Sequence, residues 1–337
     1  RRREYEEYLI RACRTNVREL KARLHLALKK RSEGYTKLVE LVAGDEDVQK
    51  HVLRHYSDDF DDIIKIEIAS DLRRGKLSDR QYFYIFKAYV KIYAERQAAF
   101  QRELPKLKQS FLMRYAAVAP DDVMRVSELL EQVDYRLADM GAVLGDGTGE
   151  FCAKAGQVAL MLDLLDKAPE EAQIIFDHET LHVAAAGSVE LVRTGAFNFL
   201  TTRNGLRFTS FVSNAHLSGW AYKVDRFRWM NEAYTEWRAL DMQGLPQTAS
   251  TVYLKERRIL WYVLHQAGMY FHDLHTIYTE LAADQTTKGR ARQWRAFSQK
   301  IRGKLGDGFL VRLDQRIQRE GLQAIHDRFN LAEIAPF

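Results

Sequence analysis

The stretch Ala168-Pro-Glu-Glu-Ala-Gln-Ile-Ile-Phe-Asp-His-Glu-Thr-Leu-His-Val-Ala184 predicts one helix. Pro169 suits the first helical position, and the two glutamates that follow it suit the positive end of the helix dipole. His178 and His182 lie four residues apart, so a helix projects both imidazoles from one face, where they can bind one ion. Glu179 beside the first histidine could take a proton from a water that such an ion activates. The pattern His-Glu-x-x-His is that of zinc hydrolases.

A plainer explanation of this stretch is an amphipathic helix whose histidines are only partly buried. Ile174, Ile175, Leu181 and Val183 are apolar and could seat such a helix in a core. Because the five-residue motif also arises by chance, the rest of the chain has to supply the remaining parts of a metal site.

A catalytic zinc ion usually takes three protein ligands and leaves a fourth position for water. The segment from Arg228 to Leu240 has apolar residues at helical intervals, so it predicts a second helix. Glu232 and Glu236 lie four apart on it, on one face. One carboxylate could bind the metal, and the other could accept a hydrogen bond from a ligand histidine. Two ordinary surface glutamates are the alternative.

Together the two motifs resemble those of the gluzincins, the thermolysin-like and neutral-aminopeptidase-like metallopeptidases, over residues 150 to 260 or so. In that group the third ligand is the Glu of an Asn-Glu pair on a second helix, which corresponds here to Asn231-Glu232. The resemblance implies that His178, His182 and Glu232 bind Zn²⁺, that Glu179 is the general base and acid, and that Glu236 supports a ligand.

The spacing between the motifs departs from thermolysin-like enzymes, because His182 and Glu232 are 50 positions apart. Such a wide spacing looks more like the lethal-factor-like gluzincins, so the subfamily stays undetermined. The inserted segment Val192–Val212 contains two alternating, β-rich runs around Asn204-Gly205. Asn-Gly between such runs predicts a β-hairpin.

A second β-like stretch, residues 150–161, precedes the motif helix and is interrupted at Ala155-Gly156. In the peptidases that the chain resembles, a strand before this helix commonly forms the upper edge of the cleft. An extended peptide substrate could pair its backbone with such an edge. The alternative is a small sheet that only closes the core.

A tetrahedral intermediate needs a hydrogen-bond donor for its developing oxyanion. Tyr253 is the first candidate, because it begins the helix that follows Glu232. Tyr222 and His216 compete with it, and a packing role for Tyr253 is the alternative.

Three further histidines, His265, His272 and His275, form a second cluster in the sequence. They could bind another metal, but no acid or cysteine at ligand spacing accompanies them. A structural role is therefore the expectation, since histidine is intermediate in burial and needs no ligand role.

The fold class that we expect is mainly α, with some β structure (α+β). We predict a helical domain over residues 1–142 and a zincin-like catalytic domain over 143–337, with small β-sheets or hairpins and a C-terminal helical lobe over about 247–337. The boundary is drawn at Gly141–Gly149, which has four glycines. The remaining helices are predicted over residues 5–31, 78–105, 120–140, 253–282, 290–305 and 312–329.

Composition limits the classes of protein to which this chain can belong. Hydrophobic content of 46% and charged content of 29% are ordinary for a soluble globular protein. No run of 18 apolar residues occurs, which predicts no transmembrane segment. The net charge of +5 comes without a concentrated basic face, so nucleic acid is not an expected partner. Cys13 and Cys152 leave the compartment open between cytoplasm and secretion, and a chain that starts at Arg1 suggests a trimmed N-terminus.

These observations predict zinc-dependent hydrolysis of peptide bonds in a peptide or protein substrate. No signature for a substrate amino terminus is recognisable, which favours an endopeptidase. One alternative is a zinc-binding helical protein that does not hydrolyse peptides and binds a protein partner through its N-terminal domain. The other is a structural helical protein with an accidental motif.

Overall fold

The computed structural model describes seven stretches of the chain, which are residues 79–138, 149–152, 157–161, 164–194, 197–214, 222–283 and 292–331. The helix predicted over residues 5–31 and most of the glycine-rich boundary lie outside these stretches. Within the described residues, no helix is long and apolar enough to cross a membrane.

Helices make up most of the described chain. The α-helices are α1 (Asp79–Val118), α2 (Val123–Gln132), α3 (Pro169–Ala184), α4 (Arg228–Met242), α5 (Leu254–Gln266), α6 (His275–Ala283), α7 (Arg292–Leu305), α8 (Phe309–Glu320) and α9 (Leu322–Arg328). Short 3-10 turns occur at Pro120–Asp122, Leu164–Asp166 and Phe271–Leu274. The expectation of a mainly helical protein with a few small strands is confirmed for this part of the chain.

Seven strands form two sheets within the described residues. They are β1 (Asp134–Ala138), β2 (Gly149–Cys152), β3 (Gln157–Met161), β4 (Ala186–Thr194), β5 (Phe197–Asn204), β6 (Arg207–Asn214) and β7 (Tyr222–Arg226). The first sheet has the order β1-β3-β2, with β1 parallel and β2 antiparallel to β3. The second is an antiparallel meander in the order β4-β5-β6-β7.

The β-like stretch before the motif helix does form strands, β2 and β3. However, β3 lies between β1 and β2 and is paired along both sides. An added peptide strand needs an unpaired edge. The strand next to the motif helix in sequence is therefore not a docking edge, which corrects that part of the expectation for β3.

The helix predicted over residues 120–140 is wrong beyond Gln132, because β1 replaces its last turns. Tyr135 and Leu137 are buried whereas Arg136 between them is exposed, which is the period-two alternation of a half-buried strand. Side chains of α1 bind this strand, since Gln101 donates to the carbonyl of Tyr135 and the amide of Leu137 donates to Gln97.

Two other predicted helices are divided by glycines. The one expected over residues 253–282 ends at Gln266, because Gly268 adopts a φ of +65° that stops a helix, and the chain resumes through a 3-10 turn into α6. The one expected over residues 312–329 is α8 and α9, separated by Gly321 with a φ of +83°. The prediction of α7 agrees with the structure to within two residues.

The chain divides into two compact units. Of the described residues, the first contains 79–107, β1 to β3 and the chain up to Ile175. The second contains 108–133 and everything from Phe176 onward. The core of the second unit is built from apolar side chains of α4 to α9, including Trp237 stacked on Phe271. The domain boundary predicted after residue 142 falls outside the described residues and stays a prediction.

The predicted hairpin is confirmed. Strands β5 and β6 are paired along their whole length, from Asn204 opposite Arg207 at the turn to Phe197 opposite Asn214 at the far end. Gly205 in its turn has a φ of +56°, a conformation that glycine adopts without strain. A Cβ atom at Gly205 would lie 2.5 Å from Oδ1 of Asn231 and 2.5 Å from a ring carbon of Tyr278. The turn is therefore packed directly against α4 and α6.

Candidate metal centre

The second half of α3 is buried on every side, from Ile175 to Ala184. Polar and ionisable side chains sit within this segment, among them His178, Glu179 and His182, each 4–6% exposed. Burying such groups costs free energy unless they are paired or bind an ion. The helix therefore holds a polar centre in the core instead of an apolar stripe.

The facing helix α4 has the same character. Its residues from Trp229 to Leu240 are all buried, and Asn231, Glu232 and Glu236 are among them. All these residues lie in the second unit. Two buried helices thus present their polar side chains to each other.

The three predicted ligands come together at this point. Oε2 of Glu232 lies 3.2 Å from Nε2 of His178 and 3.2 Å from Nε2 of His182. In a tetrahedral zinc site with bonds of about 2.0–2.1 Å, two ligand atoms lie ~3.4 Å apart. The ligand atoms of all three residues lie within 4.8 Å of one another. The donor set and its spacing can therefore hold a metal ion.

Glu236 supports the first histidine from the opposite side. Its Oε2 lies 2.9 Å from Nδ1 of His178, and its Oε1 accepts a hydrogen bond of 2.5 Å from the hydroxyl of Ser250. A carboxylate at Nδ1 holds the proton on that nitrogen and leaves Nε2 to bind a metal. Glu236 therefore has the geometry of the supporting acid that the sequence predicts.

The second histidine has different partners. Nδ1 of His182 lies 3.2 Å from the side-chain amide of Asn231 and 3.4 Å from the hydroxyl of Tyr278. That hydroxyl also lies 2.8 Å from Oγ1 of Thr235. When Nε2 of His182 binds a metal, the proton on Nδ1 can be donated to Tyr278.

The β5–β6 hairpin fixes Asn231 in turn. The backbone amide of Leu206 donates to Oδ1 of Asn231 at 2.9 Å, and Gly205 lies against the same side chain. The insertion between the two motifs therefore contributes a contact to the centre.

Tyr253 and Glu179 lie beside the ligands. The ring of Tyr253 stacks on that of His178, with centroids 5.5 Å apart and planes at 18°. Burial, followed by the charges of Glu232 and Glu179, raises the pKa of Tyr253, so its hydroxyl keeps its proton and can donate. Tyr253 also has a φ of 51° as the N-cap of α5, a left-handed conformation that costs a non-glycine residue free energy.

The ionisation of the ligands follows from their mutual contacts. Burial lowers the pKa of His178, but hydrogen bonds to Glu232 and Glu236 outweigh it and raise that pKa to about 10. At His182 burial prevails and lowers the pKa. Burial raises the pKa of Glu232, yet the two histidines hold it well below its usual range. Glu232 is therefore ionised, as a metal ligand must be, and His178 has to release a proton to bind a metal.

The centre is rich in buried carboxylates. Three carboxylates, Glu179, Glu232 and Glu236, are each at most 7% exposed, and they surround two histidines. Buried carboxylates are stable only when they are paired or coordinate metals. Carboxylates in such a place are suited to bind a divalent cation.

The other candidates of the sequence do not join the centre. His265 stacks on Trp261, His272 contacts the edge of Trp237, and Nδ1 of His275 lies 3.1 Å from the hydroxyl of Tyr234. Among the residues that the structure describes, His178, His182 and Glu232 are the group with metal-ligand geometry. For Tyr222 only the backbone in β7 is described, and His216 lies outside the described residues.

Sequence reasoning did not identify Ser250, Tyr278 or Arg257 as neighbours of the centre. Ser250 and Tyr278 contact it across 14 and 96 positions of sequence, and neither belongs to a motif. No periodic pattern marks such residues, so only the folded chain reveals them.

The chain was compared with models of protein families, with curated proteins and with solved structures. No family model, curated protein or solved structure matches it. The geometry of the centre itself is therefore what supports a function.

Proposed function

We propose that the protein is a zinc-dependent peptidase of the gluzincin type. The observation that carries the proposal is the convergence of His178, His182 and Glu232, with Glu232 3.2 Å from both imidazoles. Glu179 follows the first ligand directly in the sequence, as a general base of this chemistry does.

The number of ligands favours catalysis over a structural role for zinc. Structural zinc sites usually have four protein ligands, whereas catalytic sites have three and leave one position open. Among the described residues the group contains three, and Glu236 faces the distal nitrogen of His178 instead of the centre. An open position is what a reacting water or carbonyl needs.

Zinc held here would supply a Lewis acid that polarises the substrate carbonyl and makes water a stronger nucleophile. Glu179 takes the proton from the attacking water and later delivers it to the leaving amine. Tyr253 keeps its own proton and donates a hydrogen bond to the developing oxyanion. Glu236 holds His178 in the tautomer that leaves Nε2 free, and the hydroxyl of Tyr278 can accept the proton of Nδ1 of His182 when Nε2 of that ring binds a metal.

The proposed substrate is a peptide or protein cleaved at an internal bond. The sequence carries no recognisable signature for binding a substrate amino terminus, which favours an endopeptidase. Peptides with blocked termini should therefore be cleaved as fast as peptides with free termini.

The test is Glu179→Gln, assayed against a library of peptides with blocked and free termini by mass spectrometry, together with zinc content. We expect the variant to hold as much zinc as the wild type and to lose hydrolysis. Full activity of the variant would reject the mechanism. Glu170→Gln, at the exposed start of α3, is the matched control and should behave as the wild type.

One observation favours a second candidate, a zinc-binding protein that does not hydrolyse peptides. His178, His182, Glu179 and Glu232 are only 4–7% exposed, which limits access to the centre. The same assay separates the two, because stoichiometric zinc without cleavage of any peptide would favour the non-hydrolytic protein.

A further inference from the structure

Residues 247–253, the second part of the loop between α4 and α5, connect a buried arginine to the metal centre. We propose that Arg257 and Ser250 are positioning residues, which through this loop hold Glu236 against His178 and Tyr253 over the same ring. The proposal rests on the proposed function, because it assigns these residues to the zinc centre.

Arg257 lies in the first turn of α5 and is completely buried. Its guanidinium donates to the carbonyl of Gln247 at 2.7 Å, to the side-chain oxygen of Gln247 at 2.9 Å and to the carbonyl of Ser250 at 2.5 Å. A weaker bond of 3.3 Å reaches the carbonyl of Val252. One side chain therefore binds the loop at three successive points.

Ser250 is the point at which the loop meets the centre. Its hydroxyl donates to Oε1 of Glu236 at 2.5 Å, and its oxygen accepts a hydrogen bond from the amide of Val252 at 3.1 Å. With Oε1 engaged, the carboxylate of Glu236 cannot rotate, and Oε2 stays 2.9 Å from Nδ1 of His178. Ser250 thus acts on the ligand through Glu236.

The other end of the loop carries Tyr253. The backbone amide of Arg257 donates to the carbonyl of Tyr253 at 2.9 Å, so the same residue closes the first turn behind the tyrosine. Tyr253 adopts its left-handed conformation at this junction, with its ring on His178. A strained residue persists only where its surroundings determine it, and here the arginine and its loop do so.

A buried guanidinium is costly, and Arg257 has no carboxylate among its hydrogen-bond partners within the described residues. Oxygens of the loop accept from Nη1 and Nη2, whereas Nε has no hydrogen-bond partner among the described residues. The charge of Glu236 acts on the guanidinium through space. An apolar residue would fill this volume at a lower desolvation cost. The arginine is therefore better explained by the geometry that it imposes on the loop than by stability.

The proposal is tested by the zinc affinity of Ser250→Ala, measured by competition with a chelator of known affinity. Loss of such a supporting hydrogen bond should weaken zinc binding by about tenfold or more. Thr251→Ala, an exposed neighbour in the same loop, should stay within about twofold of the wild type, as is usual for a surface change. Ser250→Thr retains a hydroxyl and should restore most of the affinity.

Arg257→Lys tests the other half of the proposal. It keeps the charge but lacks the fork that binds several carbonyls at once. We expect weaker zinc binding and a changed visible spectrum of the Co²⁺-substituted protein, because the ligand geometry is altered. Arg258→Lys, which affects the contact with His326, is the matched control. It should change neither the zinc affinity nor the spectrum of the Co²⁺-substituted protein.

The outcomes are distinct from those of the peptidase assay, because zinc affinity is read without any substrate. Zinc affinities of Ser250→Ala and Arg257→Lys equal to those of their controls would overturn the positioning role alone. A wild-type protein that binds no zinc would overturn both this role and the proposed function. If Ser250→Ala unfolds, the Co²⁺ spectrum of Arg257→Lys decides the matter.

Discussion

Nδ1 of His178 lies 2.9 Å from Oε2 of Glu236, while Nε2 of the same ring lies 3.2 Å from Oε2 of Glu232. The pair fixes both the orientation and the tautomer of the ring. A histidine held in this way presents Nε2 to an ion with little further ordering, which is how a carboxylate behind a ligand histidine raises metal affinity.

Glu236→Gln should therefore weaken zinc binding by about 10- to 100-fold, because the amide keeps the shape of the side chain but loses its charge. The measurement is zinc affinity by chelator competition, with unfolding of the metal-free protein as a check on folding. Glu128→Gln, on the exposed face of α2, is the control. An affinity unchanged by Glu236→Gln would remove the supporting role of this acid.

Tyr253→Phe should keep zinc and lower kcat by about 10²- to 10³-fold, the usual effect of removing one oxyanion donor. Phenylalanine preserves the stack on His178, so the hydroxyl alone is tested. Tyr262→Phe removes a hydroxyl from a ring that stacks on Phe329 instead and serves as the control. An unchanged kcat in Tyr253→Phe would reduce this tyrosine to a packing residue.

Much of the centre could be predicted because helices repeat in a simple way. The spacing of His178 and His182, and that of Glu232 and Glu236, places each pair on one face whatever the rest of the fold. Asn204-Gly205 marks its hairpin for a similarly local reason.

The remaining features depend on tertiary contacts that have no period in the sequence. Ser250 lies in the loop that Arg257 binds and donates to Glu236, and Tyr278 reaches His182 from another helix. The sequence predicts the end of a helix where strand β1 lies, since the alternation of the strand covers only Tyr135 to Leu137. Such short signals acquire meaning only once their partners in the fold are known.

Gly205→Ala should destabilise the protein by more than Gly244→Ala does. Both glycines have a positive φ, +56° and +65°, so both variants bear a similar backbone cost of about 1 kcal/mol. At Gly205 the added methyl also meets Asn231 and Tyr278, whereas at Gly244 it meets nothing within 4 Å.

Denaturant unfolding of the two metal-free variants measures the difference between their free energies of unfolding. Because the backbone cost is similar in both, this difference reports the steric clash at Gly205. Zinc affinity should also fall in Gly205→Ala alone, because Asn231 and Tyr278 both contact His182. Equal stabilities in the two variants would mean that the hairpin turn is not tightly packed against Asn231 and Tyr278.

His275 should make the stability of the protein fall in mild acid. Burial, together with the charge of Arg238, lowers the pKa of His275 to about 4, below the ordinary histidine value of 6.5. Between these values the unfolded chain binds a proton that the folded protein does not. The stabilisation is complete above pH 6.5 and is lost as the pH falls toward 4, by at most about 1.4 kcal/mol per pH unit.

Denaturant unfolding of the chelated protein at several pH values checks this expectation. His275→Asn can keep the contact with Tyr234 but cannot titrate, so its stability should fall less steeply in this range than that of the wild type. His272→Asn, an exposed histidine three residues away, is the control and should follow the wild type. Identical pH slopes in His275→Asn and the wild type would contradict the prediction.

The central claim is tested most directly by diffraction from crystals of the protein grown with zinc, with data collected at both sides of the zinc absorption edge. We predict one anomalous peak, bound by Nε2 of His178, Nε2 of His182 and a carboxylate oxygen of Glu232 at about 2.0–2.2 Å. A fourth position should be open to water. No peak at these three side chains, or a zinc ion bound elsewhere, would contradict the account.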